Sequence, residues 1–511
     1  MLMPLRRPTQ PMPPVSIVTA EHASPEAAAA FRALDGSLVR GLAWTGAVKW
    51  TSQVLSWLST IVVARLLLPR DYGLVAMATV VLGLIALLNE FGLGAAVVAL
   101  RHLTRDQIAQ IHSVASLLGM AGFLLVGALA VPVGRFFGAP ELPPVMVTMG
   151  ASFLLVATRS VPSAILQKEL RFKFLAFLEG GQSVLTTLVT IVMAWSGAGY
   201  WALVVGGLIG NAGTNIVIWV SRPLRYAWPS SDSLRETIRF SSHVLVSRVS
   251  WYLAGNADVF IAGRVLGQAV LGAYSFAATL ATVPLDKVTA LISRVMPAFY
   301  SSVQDDASAM RRYLLILTEG LALITFPLAA GLVLVAHDSV LVVLGDKWRG
   351  VIAPLQVLAG WAALRSVVGL VSPLLYVTEG SRVAMFNGLL CAATYPPAFW
   401  LGTRWGAVGV AAAWVLVQPP SWIAPYRHVL RATHLSSWRY LQAFWPALSG
   451  VLVMGACVYG VGRSLPEGWS AAWRLVCEVT VGAAAYAAAV LWLHGDRVKS
   501  AVRIIKTSRA M

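Results

Sequence analysis

Charge is scarce in this chain: 12% of its 511 residues are Asp, Glu, Lys or Arg, while 58% are hydrophobic. A water-soluble protein of that size needs far more charge on its surface, so a soluble globular fold is excluded. Cysteine is nearly absent. Cys391, Cys457 and Cys477 all lie inside apolar stretches, so neither a disulfide framework nor a metal site is expected. No GxxxxGK[ST] run occurs, which removes ATP binding of that type. The first 40 residues lack a compact apolar core followed by a cleavage site. They read as a retained, disordered cytoplasmic tail (1–40), and a start at Met3 or Met12 is equally compatible. The outside loops are short, so there is no long catalytic loop of the kind a membrane-embedded polymerase or ligase would carry. The one acidic pair on the inside, Asp305-Asp306, is explained by a solvated loop rather than by a glycosyltransferase metal site.

What the chain has instead is repeated apolar runs of about 20 residues between short polar loops, the pattern of a polytopic helical membrane protein. Fourteen spans are expected, at 41–66, 73–99, 107–131, 144–166, 174–196, 199–220, 237–262, 272–296, 313–336, 351–376, 383–401, 405–424, 443–462 and 472–493. Several are expected to be broken at Pro162, Pro284, Pro327, Pro373 and Pro396–Pro397. The net charge of +17 would suggest nucleic acid in a soluble domain. Here the cations sit in loops, where anionic inner-leaflet lipids and the orientation rule account for them, and no nucleic-acid partner is implied. With both termini cytoplasmic, the inside segments carry about 24 cations, several times the number outside. The basic segment Arg497–Arg509 fits either a helix lying on the inner leaflet or a frayed tail.

A repeat runs through these spans. Shifting the chain by 199 residues places Arg248 on Lys49, Arg264 on Arg65 and Gly272 on Gly73. A second, looser match sets Arg159-Ser160-Val161 against Arg365-Ser366-Val367. Two bundles result, 41–236 and 237–440, related by an axis along the membrane normal. Residues 441–494 form two added spans, and 495–511 a basic tail.

Ionisable groups at mid-membrane are costly and normally face a bundle interior or a wet cavity. Lys49, Arg159, Arg248, Arg365 and Lys287 are the cations so placed, and they are the candidates for holding an anionic group such as a pyrophosphate. Snorkelling to a headgroup is the alternative for each, and suits Lys49 and Arg248 least. The carboxylates Glu90, Asp258 and Glu319 either pair with these cations or couple transport to protons or sodium. No other cofactor is implied.

These residues carry a resemblance. Asn256-Ala257-Asp258, Gly263-Arg264, Gly267, Leu271-Gly272 and Tyr274, with Pro284 and Pro297 downstream, resemble the seventh-to-eighth-helix signature of the bacterial polysaccharide transporters. Arg65-Leu66-Leu67-Leu68-Pro69 with Tyr72-Gly73, Phe91-Gly92-Leu93-Gly94 and Gly345-Asp346-Lys347-Trp348 resemble further elements of the same family. It comprises the Wzx-type lipid-linked oligosaccharide flippases of the multidrug/oligosaccharidyl-lipid/polysaccharide exporter superfamily, and the match covers about residues 40–495. The resemblance implies an all-α, two-lobed, fourteen-helix fold in the bacterial inner membrane. It also implies alternating access, an undecaprenyl-pyrophosphate-linked oligosaccharide as cargo, and work beside a polysaccharide polymerase and export machinery. The rivals are a small-molecule exporter of the same fold, whose cavity should be acidic, and a membrane-embedded polymerase or ligase.

Overall fold

The computed structural model describes residues 56–89, 103–228, 248–293, 306–466 and 469–507, with a few isolated positions between them. Among these residues the chain is helix and turn, and eleven stretches are long and apolar enough to cross a membrane. Hydrocarbon offers backbone groups no partner, so runs of Leu, Val and Ala close their hydrogen bonds within a helix. In the first half these helices are α1 (Ser56–Leu66), α2 (Pro69–Asn89), α3 (Arg105–Phe137), α4 (Leu142–Gly150), α5 (Ser152–Lys168), α6 (Phe172–Trp195) and α7 (Trp201–Ser221). The second half contributes α8 (Ala257–Ser293), α9 (Ala307–Leu334), α10 (Ile352–Val368), α11 (Val371–Val377), α12 (Ser381–Gly402) and α13 (Gly406–Ala432). The last two are α14 (Trp445–Ser464) and α15 (Ala471–Thr507).

Local chemistry sets the ends. Thr104 and Gln107 form a reciprocal capping box that starts α3, and Gly138 at φ 65° stops it. Asp306 accepts from the backbone N–H groups of Ser308 and Ala309 and so caps α9, a structural role for this member of the acidic pair, while Asp305 lies outside the described residues.

The prolines behave differently from the expectation. Helices run through Pro162, Pro284, Pro327 and Pro396–Pro397 without a break. Near Pro373 the break falls earlier, at Gly369–Leu370, and the proline sits in the first turn of α11, where a missing N–H costs nothing. At Pro327 the lost donor is replaced. The carbonyl of Leu323, four residues back, accepts from the Tyr486 hydroxyl of α15 at 2.8 Å. That bond, with Phe326 stacked on Phe444 at 5.8 Å, docks the last two helices on α9. Interruptions fall instead at Gly267, at φ 79° inside α8, at Gly406, at φ 65° between α12 and α13, and at His494 inside α15.

The core joins both halves, with Trp348, Tyr274 and Tyr300 among its fully buried side chains. The halves meet most closely where the N-terminus of α2 crosses α8. A methyl on Gly73 would stand 1.8 Å from the carbonyl oxygen of Gln268, and one on Gly272 would stand 1.8 Å from that of Pro69. Gly272 and Gln268 are Gly73 and Pro69 shifted by 199 residues. The contact is therefore reciprocal, as across a two-fold axis. The paired arginines repeat the pattern. Arg65 reaches into the second half, donating to the carbonyls of Val342 and, at 2.6 Å, Val343. Its counterpart Arg264 reaches into the first half, over the Phe136 ring at 5.8 Å. Lys347 donates to the Arg65 carbonyl at 2.6 Å and Trp348 to that of Ala64 at 2.8 Å. Arg70 joins Gln268, at 2.7 Å, to Glu141. On the inside-positive expectation set out above, this sealed end is the one expected outside.

Candidate functional site

Directly beneath the seam, Tyr72 packs edge-on against Phe276 and Trp348 at 5.0 and 5.2 Å, one ring from the first half and two from the second. Two chambers open below this aromatic roof. The larger, about 780 Å³, lies between α1, α2 and α6 of the first half and α8. The smaller, about 420 Å³, lies between α8, α10, α12 and α13. Both are lined by Asn256, Val259 and Ser275, so they are contiguous across α8.

The smaller chamber holds charge and aromatic surface. Asp258 is buried in its wall. Its Oδ2 accepts from the Tyr274 hydroxyl at 2.5 Å and from Trp414 Nε1 at 3.2 Å, and Trp414 Nε1 also reaches the Tyr274 oxygen at 3.0 Å. Among the described residues the other oxygen, Oδ1, and the hydroxyl of Ser275 are buried without a hydrogen-bond partner. A buried polar group left unpaired costs free energy, so each one calls for an explanation. Arg365 also lines this chamber. Its guanidinium lies 4.8 Å from the centre of the Trp361 ring and donates to Asp286 at 2.5 Å. Trp361 is held in turn by its bond to Gln418. Tyr395, Phe399 and Trp414 complete an aromatic wall, with centroids 4.8–6.0 Å apart.

The larger chamber is lined by hydroxyls and amides. Its α6 wall presents Glu179, Gln182, Ser183, Thr186, Thr187 and Thr190, a polar face at helical spacing in an otherwise apolar span. Behind that wall Arg159 donates to Gln182 Oε1 at 3.2 Å, Thr214 donates to the same oxygen at 3.2 Å, and Gln182 Nε2 donates to Asn211 at 3.1 Å. This network ties α5, α6 and α7 together and fixes the orientation of the Gln182 amide.

The structure thus brings Asp258 and Arg365 to one chamber and sets Arg159 behind the wall of the other. Lys49 and Glu90 lie outside the described residues. Arg248 is exposed at the start of its described helix, three residues before Trp251, which lines the smaller chamber. Lys287 is exposed beside Asp286, and Glu319 is half-buried on α9. None of these last three lines either chamber. The polar face of α6 was not read from the sequence. Its signal is the recurrence of Glu179, Gln182–Ser183, Thr186–Thr187 and Thr190 every three to four residues.

Residues 62–353 match the family model described as polysaccharide biosynthesis protein, more than half of the chain. The chain belongs to this Wzx-like flippase family. It is 25% identical to the lipopolysaccharide biosynthesis protein WzxC of Escherichia coli K12 over 418 residues, 80% of this chain and 84% of that protein. The teichuronic acid biosynthesis protein TuaB of Bacillus subtilis 168 is 24% identical over 407 residues, 78% and 83% of the two chains. Among solved structures, lipid II flippase MurJ in an inward closed conformation superposes with a TM-score of 0.71 at 12% identity, covering 89% of this chain and 99% of that one. An inward-facing MATE-family multidrug resistance transporter gives 0.55 at 16% identity, covering 76% and 95%. The fold is MurJ/MATE-like, and this family member is a multi-pass membrane protein of polysaccharide biosynthesis transport.

Proposed function

We propose that the protein moves an undecaprenyl-pyrophosphate-linked oligosaccharide repeat unit from the inner to the outer leaflet of the bacterial inner membrane, by alternating access, for surface polysaccharide synthesis. The observation that carries this reading is a pair of contiguous chambers, one holding Arg365, roofed at one end by a seam that both halves build reciprocally. A pyrophosphate does not cross hydrocarbon unpaired. A guanidinium already paired with Asp286 exchanges one anion for another without being stranded in a dry site. The seam is made of backbone contacts and a few side-chain bonds, so it separates as a unit while each half stays packed.

Fourteen passes fit this scheme. Of the eleven apolar stretches, Arg248–Ala290 and Ser381–Ala432 have 43 and 52 residues. At 1.5 Å per residue these are about 65 and 78 Å, roughly twice the hydrocarbon thickness. Each is interrupted midway, at Gly267 and near Gly406, so each supplies two passes. With α1 the total is fourteen: lobes over 41–236 and 237–440, and an added pair over 441–494. The unpartnered Oδ1 of Asp258 supports this carboxylate as the coupling group for protons or sodium in the proposed cycle. Lys49, Arg248 and Lys287 would meet the anion on the inner side before it reaches Arg365. A basic groove lined by Arg427, His428 and Arg431 suits inner-leaflet headgroups.

The test is restoration of surface polysaccharide in a strain lacking the protein, with membrane levels checked. Arg248→Ala and Arg365→Ala are expected to lose export, and Arg365→Lys to keep part of it. Full restoration by a Lys49→Ala/Arg248→Ala double variant would remove those two cations from the site, and full restoration by Arg365→Ala would overturn the anion-holding role of the chamber.

A further inference from the structure

The second half carries a groove that shares no lining residue with either chamber. It lies along α13, which has two working faces. Trp414 and Gln418 line the smaller chamber. Pro420, Ile423, Ala424, Arg427 and Arg431, at i, i+3, i+4, i+7 and i+11, line the groove from the other side of the helix. The groove is graded along its length. Its floor is Pro420, Ile423 and Ala424, with Val383 of α12. Its rim, at the C-terminal end of α13, is Arg427, His428 and Arg431. From Pro420 to Arg431 is about 16 Å of helix. The inside-positive expectation puts the arginines at the inner surface and the floor in hydrocarbon. Both arginines are exposed, and among the described residues no hydrogen bond or ion pair occupies either guanidinium. His428 is spent on the fold: its Nε2 donates to the Thr378 carbonyl at 2.9 Å and ties α13 to the loop that leads into α12. In the first turn of α12 the N–H groups of Ser381, Arg382 and Val383 precede the first intrahelical bond, from Ala384 to Gly380. The positive end of the α12 dipole therefore borders the same groove. The volume, about 690 Å³, is far more than a phosphate fills, and the wall away from the arginines is apolar.

We infer that this groove binds one anionic phospholipid of the inner leaflet, its phosphate between Arg427 and Arg431 and an acyl chain along Pro420, Ile423 and Ala424. This deepens the transport reading above, because it names what the basic groove holds and keeps that ligand apart from the cargo. Guanidinium groups one helical turn apart present two planar forks to a phosphate. A free phosphate would leave the floor bare. A zwitterionic lipid would bring an ammonium to a rim that is already cationic. The cargo is the poorer occupant: α13 stands between this groove and the chamber that holds Arg365, so a pyrophosphate bound here would be on the wrong side of the wall.

The test uses the purified full-length protein, washed free of lipid in detergent and offered equal amounts of dioleoyl phosphatidylglycerol and dioleoyl phosphatidylcholine. Native mass spectrometry counts what is retained. One phosphatidylglycerol should be held in preference to phosphatidylcholine by about tenfold or more. The double variant Arg427→Gln/Arg431→Gln should remove that preference. Arg427→Lys/Arg431→Lys, which keeps the charge, should hold most of it, and this variant separates charge from any loss of folding. Ala424→Trp, which fills the floor and leaves both arginines, should lower retention by a similar factor. Equal retention of the two lipids by the unmodified protein, a preference unchanged in the glutamine variant, or retention unchanged in Ala424→Trp overturns the inference and leaves the transport reading in place. Undecaprenyl pyrophosphate is the competing probe. Its displacing phosphatidylglycerol at equal concentration, in the unmodified protein but not in the glutamine variant, would make the groove a cargo site and overturn the phospholipid assignment. Lipid retention as expected, with no flipping of a polyprenyl-pyrophosphate disaccharide in proteoliposomes, would overturn the transport reading alone.

Discussion

The two halves of this transporter share a seam but not an interior. Where they touch, the contact is the same read from either side: Gly73 on the Gln268 carbonyl, Gly272 on that of Pro69, each residue the other's counterpart at an offset of 199. A few ångströms below, the likeness ends. The first half offers hydroxyls and amides, with its arginine, Arg159, tied behind Gln182. The second half offers Arg365 on an indole face, a buried carboxylate and an aromatic wall. The proposed rocking cycle needs two surfaces that close on one another; the repeat keeps these at the seam, while the chamber walls differ. A repeat found in sequence is thus evidence about motion and seam, and weak evidence that equivalent positions bind the same group.

The largest expected effect breaks the shared part. Valine at Gly73 or at Gly272 cannot be accommodated while the seam is closed, because even its Cβ would overlap a backbone carbonyl. Export should fall to background in either variant. A cysteine at Thr79, in a protein whose Cys391, Cys457 and Cys477 have been replaced, should become reactive to an impermeant maleimide added from outside. If the two positions are equivalent, both variants give the same labelling. A strong effect at one position alone would show that the reciprocity is geometric and not mechanical.

Next in size is the difference between the arginines. Arg365→Ala removes a cation from a chamber wall and leaves Asp286 without its partner, so export should drop about tenfold or more. Arg159→Ala removes a group that acts through Gln182, and about threefold is expected. Equal losses in a polysaccharide-restoration assay would mean that both arginines meet the anion directly. The buried carboxylate comes third. Asp258→Asn keeps the shape and the bonds from Tyr274 and Trp414 but cannot ionise. Flipping in proteoliposomes should lose its response to a proton or sodium gradient while keeping its downhill rate. A gradient response that survives Glu90→Gln, Asp258→Asn and Glu319→Gln together would make all three groups structural.

How much of this was legible in the chain differs residue by residue. The pairings Gly73/Gly272 and Arg65/Arg264 were visible at a fixed offset, because glycine at a close approach and arginine at a helix end are choices a duplicated backbone retains. The burial of Asp258 was legible too, since an acid in an apolar span must be enclosed. The α6 face was not, because Ser and Thr satisfy their own helix carbonyls in many spans, as Thr60 and Thr279 do here. Only packing decides which of them meet a chamber. The bond between Arg365 and Asp286 spans 79 residues of sequence, and no local pattern encodes it. The prolines misled for the same reason: whether Pro327 breaks its helix depends on Tyr486, 159 residues away, offering a hydroxyl to the stranded carbonyl of Leu323.

The smallest expected effect sharpens the seam itself. Glu141 joins Arg70 and Gln268 across it, and its carboxyl is held below the usual range, first by its own backbone N–H, against burial, the next-largest effect, which pushes it up, and then by Gln268 and Arg70. A carboxylate whose pKa is lowered in the closed state stabilises that state at every pH above its ordinary value, about 4.3 for Glu, and loses the contribution as pH falls through the lowered value. Seam closure should therefore be flat between pH 6 and 8 and weaken only in strong acid. Arg70 is largely exposed and Glu141 partly so, so the ion pair is worth about 0.2–1 kcal/mol and is screened by salt. Arg70→Ala should accordingly raise outside labelling of a cysteine at Thr79 by no more than about fivefold. Glu141→Gln should do the same at neutral pH and abolish the acid response. A labelling rate that changes between pH 6 and 8 in the unmodified protein, and still changes in Glu141→Gln, would place the pH-sensitive group in the seam elsewhere than at this clamp.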